Sequence, residues 1–120
     1  MITEQLQTAR QLGQGTPANT TAVAIYSPRN GIKGEIGSII VCNTGTNIIK
    51  YRIFHDADGS TYADASALFY DVTLGSGETD IICFKEIGLI VDGDTDGTLG
   101  IRTDTADDMT VTLYGWELSK

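Results

Sequence analysis

Three aspartates alternate with other residues in one turn-rich segment, with the spacing of a cation-binding loop. Asp92, Asp94 and Asp96 are followed by Gly97, which reproduces the D-x-D-x-D-G opening of a calcium loop, where alternate carboxylates converge on one cation. The second half of that motif is missing, because the twelfth position is Thr103 where a bidentate glutamate belongs. The segment therefore predicts either a calcium site formed by these three aspartates or a polar turn between two strands.

Nucleophilic and zinc chemistry lack the partners that they need in this sequence. His55 is the only histidine, so a triad or a zinc site has to use it, and zinc needs at least two further ligands nearby. Cys42 and Cys83 lie within apolar, strand-like runs, so we expect two buried free thiols, with a disulfide between them as the alternative. Plentiful carboxylates do not by themselves define a glycosidase pair. We therefore expect no enzyme activity and no cofactor.

Short apolar, β-branched runs separated by glycine and aspartate turns occupy most of the chain. Such runs are typical of β-strands. They cover residues 22–26, 37–42, 48–54, 68–72, 80–84, 88–91, 99–102 and 109–116. The pattern predicts an all-β fold, an antiparallel β-sandwich or jelly roll of about eight strands.

The segments between these runs predict how the strands connect. Residues 43–47 and 75–78 are short and centred on glycine, which favours hairpin turns. Residues 54–67 lack alternation and predict a long loop with a helical turn near its end.

Residues 1–19 differ from the rest of the chain. They are rich in Gln and Thr, and the glycines before Pro17 argue against regular structure there. We therefore divide the chain into an N-terminal arm, residues 1–19, and a β-sandwich domain, residues 20–120. An arm of this kind is expected to become ordered on a neighbouring subunit.

Five apolar or aromatic residues are candidates for contact with other subunits. In the arm these are Ile2, Leu6 and Leu12. In the sandwich they are Tyr62 and Trp116, because tyrosine and tryptophan are favoured interface anchors.

Charge excludes two classes of partner. The 120 residues include 8 Lys and Arg against 16 Asp and Glu, a net charge of −8, which repels phosphate backbones and anionic lipid surfaces. No apolar stretch approaches the roughly 20 residues of a membrane span, and the N-terminus lacks the pattern of a secretion signal. We therefore expect no nucleic-acid or membrane partner.

Several segments together resemble small virion proteins of tailed bacteriophages. They are LGQGTPANTT (12–21), AIYSP (24–28), IIVCNT (39–44), YRIFHDADGSTY (51–62), ALFYDV (67–72) and VTLYG (111–115). The resemblance covers nearly the whole chain and carries over no site residue. It implies a β-sandwich component of the virion, made in the host cytoplasm.

The first expectation is a capsid decoration or cement protein, a homo-oligomer such as a trimer that stabilises the shell by contacting the major capsid protein or other virion proteins. One alternative is a tail, neck or fibre-associated protein that presents residues 56–67 and 92–98 to a partner or receptor. A further alternative is a calcium- or carbohydrate-binding β-sandwich module. Lysines and arginines in strands, among them Lys50 and Arg52, are expected to protect open sheet edges.

Overall fold

Nine β-strands form the regular structure of this chain in the computed structural model, which describes residues 10–84 and 86–119. They are β1 (Arg10–Gly15), β2 (Val23–Tyr26), β3 (Ile32–Asn43), β4 (Ile49–Asp56), β5 (Ala67–Leu74), β6 (Thr79–Cys83), β7 (Ile90–Asp92), β8 (Thr98–Thr103) and β9 (Met109–Ser119). Two single 3-10 turns, Asp64–Ser66 and Gly93–Thr95, complete the elements. No helix in the described residues has the length and apolarity needed to cross a membrane.

The strands form two antiparallel sheets that face each other. The five-stranded sheet has the order β1-β9-β3-β6, with β7 also paired to β3, and the four-stranded sheet has the order β2-β8-β4-β5. Side chains from both inner faces form one core, which includes Ile39, Val41, Ile53, Ile101, Val111 and Leu113, each at most 1% exposed. The predicted all-β sandwich or jelly roll is confirmed.

The strands β3 and β9 pair over almost their whole lengths. Their register runs from Ile32 opposite Ser119 to Asn43 opposite Met109, with one shift between Ile36 and Ser38. The sequence predicted only residues 37–42 of β3, because Lys33, Gly34 and Glu35 interrupt its apolar run. Gly34 is required here because the ring of Tyr26 occupies the space of a Cβ atom.

Part of the predicted arm belongs to the sandwich. Residues Arg10–Gly15 form β1, an edge strand paired with β9, so the expectation that the glycines forbid regular structure was wrong. Gly13 lies against the backbone carbonyl of Ile25, where a Cβ atom would collide. The glycine therefore permits a close approach of two sheets rather than breaking the strand. Residues 1–9 lie outside the described residues, and the arm stays a prediction for them.

The predicted hairpin turns are crossings between sheets. Residues 43–47 lead from β3 in the five-stranded sheet to β4 in the other, and residues 75–78 lead back from β5 to β6. Turn composition indicates that the chain reverses, but it does not indicate which sheet the next strand joins. The long loop after β4 does return to the same sheet, because β4 and β5 are paired.

The side chain of Asn43 holds the ends of these crossings together. It is fully buried, its amide nitrogen donates to the carbonyl oxygens of Asn47 at 2.7 Å and Leu74 at 3.0 Å, and its side-chain oxygen accepts from the Gly45 N–H at 3.0 Å. Its backbone N–H also donates to the Glu78 carbonyl. One buried amide thus satisfies polar groups of two loops from different parts of the sequence.

Replacing Asn43 by alanine should destabilise the whole sandwich. The change leaves two carbonyls and one N–H without the partner that the fully buried Asn43 side chain provides, so we expect a loss of about 2–4 kcal/mol in the free energy of unfolding, measured by urea denaturation. The control is Asn47→Ala, since Asn47 is exposed and contributes its backbone carbonyl to this network. That variant should change stability by no more than about 0.5 kcal/mol. Equal losses would contradict the assigned role of Asn43.

Candidate interaction surfaces

The three aspartates of the predicted calcium loop lie in the crossing from β7 to β8. The Asp92 carboxylate accepts a hydrogen bond from the Asp94 N–H at 2.9 Å, and the Asp94 carboxylate accepts one from the Gly31 N–H at 2.7 Å. Asp96 adopts the left-handed conformation that ends the 3-10 turn. Within residues 10–84 and 86–119, no group of three or more His, Cys, Asp or Glu side chains is placed to hold a metal ion. Calcium binding stays a prediction, and the observed role of Asp92 and Asp94 is to stabilise the turn.

Three loops meet at this end of the sandwich, which we call the loop end: residues 27–31, 57–62 and 92–98. The Thr95 hydroxyl donates to the Ala57 carbonyl at 2.7 Å, and the Thr98 hydroxyl donates to the Gly59 carbonyl at 2.7 Å. Gly93 packs against the Arg29 backbone, which leaves no room for a side chain. Residues 56–67 and 92–98, the two loops that the sequence indicated for contact with a partner, are therefore joined to each other by hydrogen bonds.

Tyr62 connects the long loop to the outer face of the four-stranded sheet. Its ring covers Gly100, where an added Cβ atom would approach it to 2.6 Å, and its centroid lies 5.8 Å from that of Phe54. Its hydroxyl donates to the Thr98 side chain at 2.8 Å. Tyr62 thus makes contacts within its own chain, while the predicted contact with a partner stays a prediction.

The other predicted interface residues have different surroundings. Leu12 lies on β1 and packs against the core. Trp116 is half-buried, and its ring lies over Gly37 at the register shift of β3. Ile2 and Leu6 lie outside the described residues. For Leu12 and Trp116 too, contact with a partner stays a prediction.

The two cysteines are free; Cys42 is half-buried and Cys83 is exposed. Cys42 lies opposite Thr79 and Cys83 lies opposite Ser38, so the thiols are four residues apart along the ladder, about 13 Å. That separation is too long for a disulfide. Cys83 is exposed at the sheet edge, so the expectation that both thiols are buried was wrong. The apolar run did not reveal that its residues alternate between the core and solvent.

Large apolar side chains on the surface were missed in the sequence. Ile48, Ile81 and Ile87 are 67%, 68% and 73% exposed. Ile48 and Ile87 lie in turns, whereas Ile81 lies in the middle of β6 and points away from the core. The adjacent Ile81 and Ile82 were a usable signal, because neighbouring residues of a strand face opposite sides and only one can enter the core.

Lys50 and Arg52 do not protect a sheet edge. Both belong to β4, which lies between β8 and β5, so this expectation was wrong. The Arg52 guanidinium instead donates to the Asp71 carboxylate at 2.7 Å and lies 3.8 Å from the ring centroid of Tyr70. The hydrogen bond to Arg52 is the main reason that the pKa of Asp71 is lowered.

His55 is half-buried beside the long loop. It lies next to an open depression of about 410 Å³ formed with Asp56 and residues of the 57–66 loop. Its Nε2 atom is buried and is the one such side-chain nitrogen or oxygen in the described residues without a hydrogen-bond partner. Burial lowers the pKa of His55, and the nearby Asp56 carboxylate opposes this shift. The imidazole is therefore mainly neutral at pH 7.

Comparison with known proteins identifies the fold class of the sandwich. No model of a known protein family matches the sequence, and no curated protein matches it. A chain from the capsid of Ralstonia phage GP4 matches with a TM-score of 0.50 and 12% identity, over 95% of this chain and 84% of that one. A chain of the T13 IBDV viral particle also matches, with a TM-score of 0.50 and 12% identity over 94% of this chain. The fold is a capsid-like jelly roll.

The two matched chains differ in length relative to this one. This chain spans 30% of the length of the IBDV chain, which is therefore much longer, and most of the length of the phage chain. At such low identity the likeness is one of fold.

Acidification should destabilise the protein through His55 before its carboxylates respond. Because the folded-state pKa of His55 lies below 6.5, the unfolded chain binds the proton first. Stability is then greatest above pH 6.5 and falls as the pH drops below it. The lowered pKa of Asp56, due mainly to its hydrogen bond from the Thr61 N–H, affects stability only below about pH 3.8. Urea denaturation should therefore show that the free energy of unfolding declines between pH 7.5 and 5, and that His55→Gln makes this decline smaller. An unchanged decline in that variant would contradict the assignment of the pH dependence to His55.

Proposed function

We propose that this protein is a structural component of a bacteriophage virion, a capsid decoration or cement protein that stabilises the shell through contacts between subunits. The observation that carries this proposal is the likeness to the Ralstonia phage capsid chain, which extends over 95% of this chain and 84% of that one. The second match, to a chain of another viral particle, supports the same class of protein. The segments that resemble virion proteins of tailed phages support it independently.

The physical character of the chain fits a mechanical role. Three carboxylates are engaged in structure: Asp92 and Asp94 accept hydrogen bonds from turn N–H groups, and Asp56 does the same. A rigid sandwich repeated over a symmetric shell can stabilise it by many modest contacts, because each bound copy adds its own interface. Function then depends on shape and surface rather than on a reactive group.

The charge of the chain favours a position outside the packaged genome. A net charge of −8 opposes binding to a phosphate backbone. The side chains of Ile48 and Ile87 are apolar and largely exposed, and in this proposal they are candidate anchors for neighbouring subunits. The homo-oligomer, such as a trimer, and contact with the major capsid protein belong to this proposal.

The proposal can be tested on the virus that encodes this chain. Immunogold labelling of purified particles should place the protein on the capsid shell, and quantitative mass spectrometry should find many copies per particle. Particles lacking the protein should release their genome at a lower temperature than wild-type particles, measured by the access of a DNA-binding dye. Supplying the wild-type gene in trans is the control and should restore the release temperature.

Two results would contradict the cement role. Labelling confined to the tail or neck would favour the alternative of a tail-associated protein. Absence of the protein from purified particles would remove it from the virion altogether.

A further inference from the structure

The edges of the two sheets are protected unequally. An open edge strand can pair with another chain, and irregular register or very short length reduces this tendency. The register shifts between Gln11 and Gly13 in β1, between Ala24 and Tyr26 in β2, and at two places between β4 and β5. The strand β7 has only three residues. By contrast, all five residues of β6 pair with β3 in unbroken register.

The hydrogen bonds around β6 indicate which of its groups face the open edge. The Phe84 N–H donates to the Gly37 carbonyl and the Asn43 N–H donates to the Glu78 carbonyl, so even-numbered residues bond to β3. In an antiparallel pair the main-chain groups of successive residues point to opposite sides. The N–H and carbonyl groups of Thr79, Ile81 and Cys83 therefore point away from β3, and the side chains of the same three residues are exposed.

The exposed face of β6 carries no charge. Its one charged residue is Asp80, whose carboxylate accepts a hydrogen bond at 2.7 Å from the hydroxyl of Tyr51, a residue of the core. The outward-facing Ile81 is 68% exposed, and neither lysine nor proline occurs in the strand. The usual features that prevent edge-to-edge pairing are therefore missing from this strand.

We propose that β6 pairs antiparallel with β6 of a second copy of this chain, about a two-fold axis through Ile81. In that register Ile81 faces the partner's Ile81, and Thr79 faces Cys83 of the partner subunit. Asp80 faces the partner's Ile82, so no like charges are opposed although each chain carries −8. The same strand is thus complementary to itself, as a two-fold interface requires.

The pairing should be weak in isolation. A five-residue strand is about 17 Å long, and two such strands bury less than the roughly 1,200 Å² of a stable interface. The pairing joins the five-stranded sheets of the two copies into one continuous sheet across the axis and covers Ile81. It does not depend on the proposed virion role, since it concerns self-association of the purified protein.

Cysteine cross-linking tests the register of this pairing. In the variant C42S/T79C, Cys83 remains native, and removal of Cys42 prevents a bridge within one chain, because residues 42 and 79 are direct partners. The new thiol should lie opposite Cys83 of the partner subunit, at the Cα separation of about 5.5 Å that a disulfide accepts. Mild oxidation should give a disulfide-linked dimer on a non-reducing gel, and peptide mass spectrometry should identify bridges between positions 79 and 83.

Two control variants distinguish pairing from random collision. C42S/T73C places an exposed thiol on the edge strand β5, and C42S alone leaves the two Cys83 thiols about 13 Å apart in the proposed register. We expect at least about tenfold more dimer from C42S/T79C than from either control, because paired thiols react at an effective concentration in the millimolar range. Equal yields, or bridges between two Cys83 residues in C42S, would overturn the proposal.

The substitution Ile81→Lys provides a second measurement without cysteine chemistry. Because Ile81 is largely exposed, the variant should keep its folding stability, while two lysines opposed at the axis should prevent pairing. Sedimentation velocity of the wild-type protein should show self-association that increases with concentration, and I81K should remain monomeric. If I81K associates as the wild type does, β6 is not the interface.

Discussion

The antiparallel pairing of β3 with β9 is the constraint on which the rest of the sandwich depends. These are the longest strands, with 12 and 11 residues, and every other strand of their sheet is attached to one of them: β1 to β9, and β6 and β7 to β3. Gly115 permits this pairing because a Cβ atom there would collide with the Glu35 carbonyl. The ladder ends at Asn43 opposite Met109, so the buried amide that joins two crossings stands at the end of the central pair.

The same architecture explains why side chains that could bind a metal or react have structural roles instead. Most connections in the described chain cross from one sheet to the other, so their polar backbone groups meet at the two ends of the sandwich. Aspartate and threonine side chains there satisfy those groups, as Asp94 does for Gly31 and Thr95 for Ala57. A carboxylate that accepts a hydrogen bond from a turn N–H is oriented by that hydrogen bond. Alternating aspartates in the sequence therefore indicate a tight turn at least as readily as a metal site.

The surface, in contrast, is not uniform. Hydrogen bonds join the loops at the loop end, whereas β6 leaves main-chain groups and Ile81 facing solvent. Irregular register at β1, β2 and β5 distorts the other edges, so the two sheets differ in their capacity to pair with further strands. The contacts of a shell protein with this fold would depend on such differences between its edges.

The sequence by itself determined that the chain is all-β, because short apolar, β-branched runs between glycine and aspartate turns are a local property. It also showed that His55 is the only histidine, so a triad or a zinc site would have to use it. Only the tertiary structure decided which strands are neighbours, since a turn such as residues 43–47 has the same composition whether it forms a hairpin or crosses between sheets. For the same reason it alone placed Leu12 against the core, Cys83 at an open edge and Lys50 in an interior strand. Burial and edge position depend on contacts between residues far apart in the chain, and no local pattern records them.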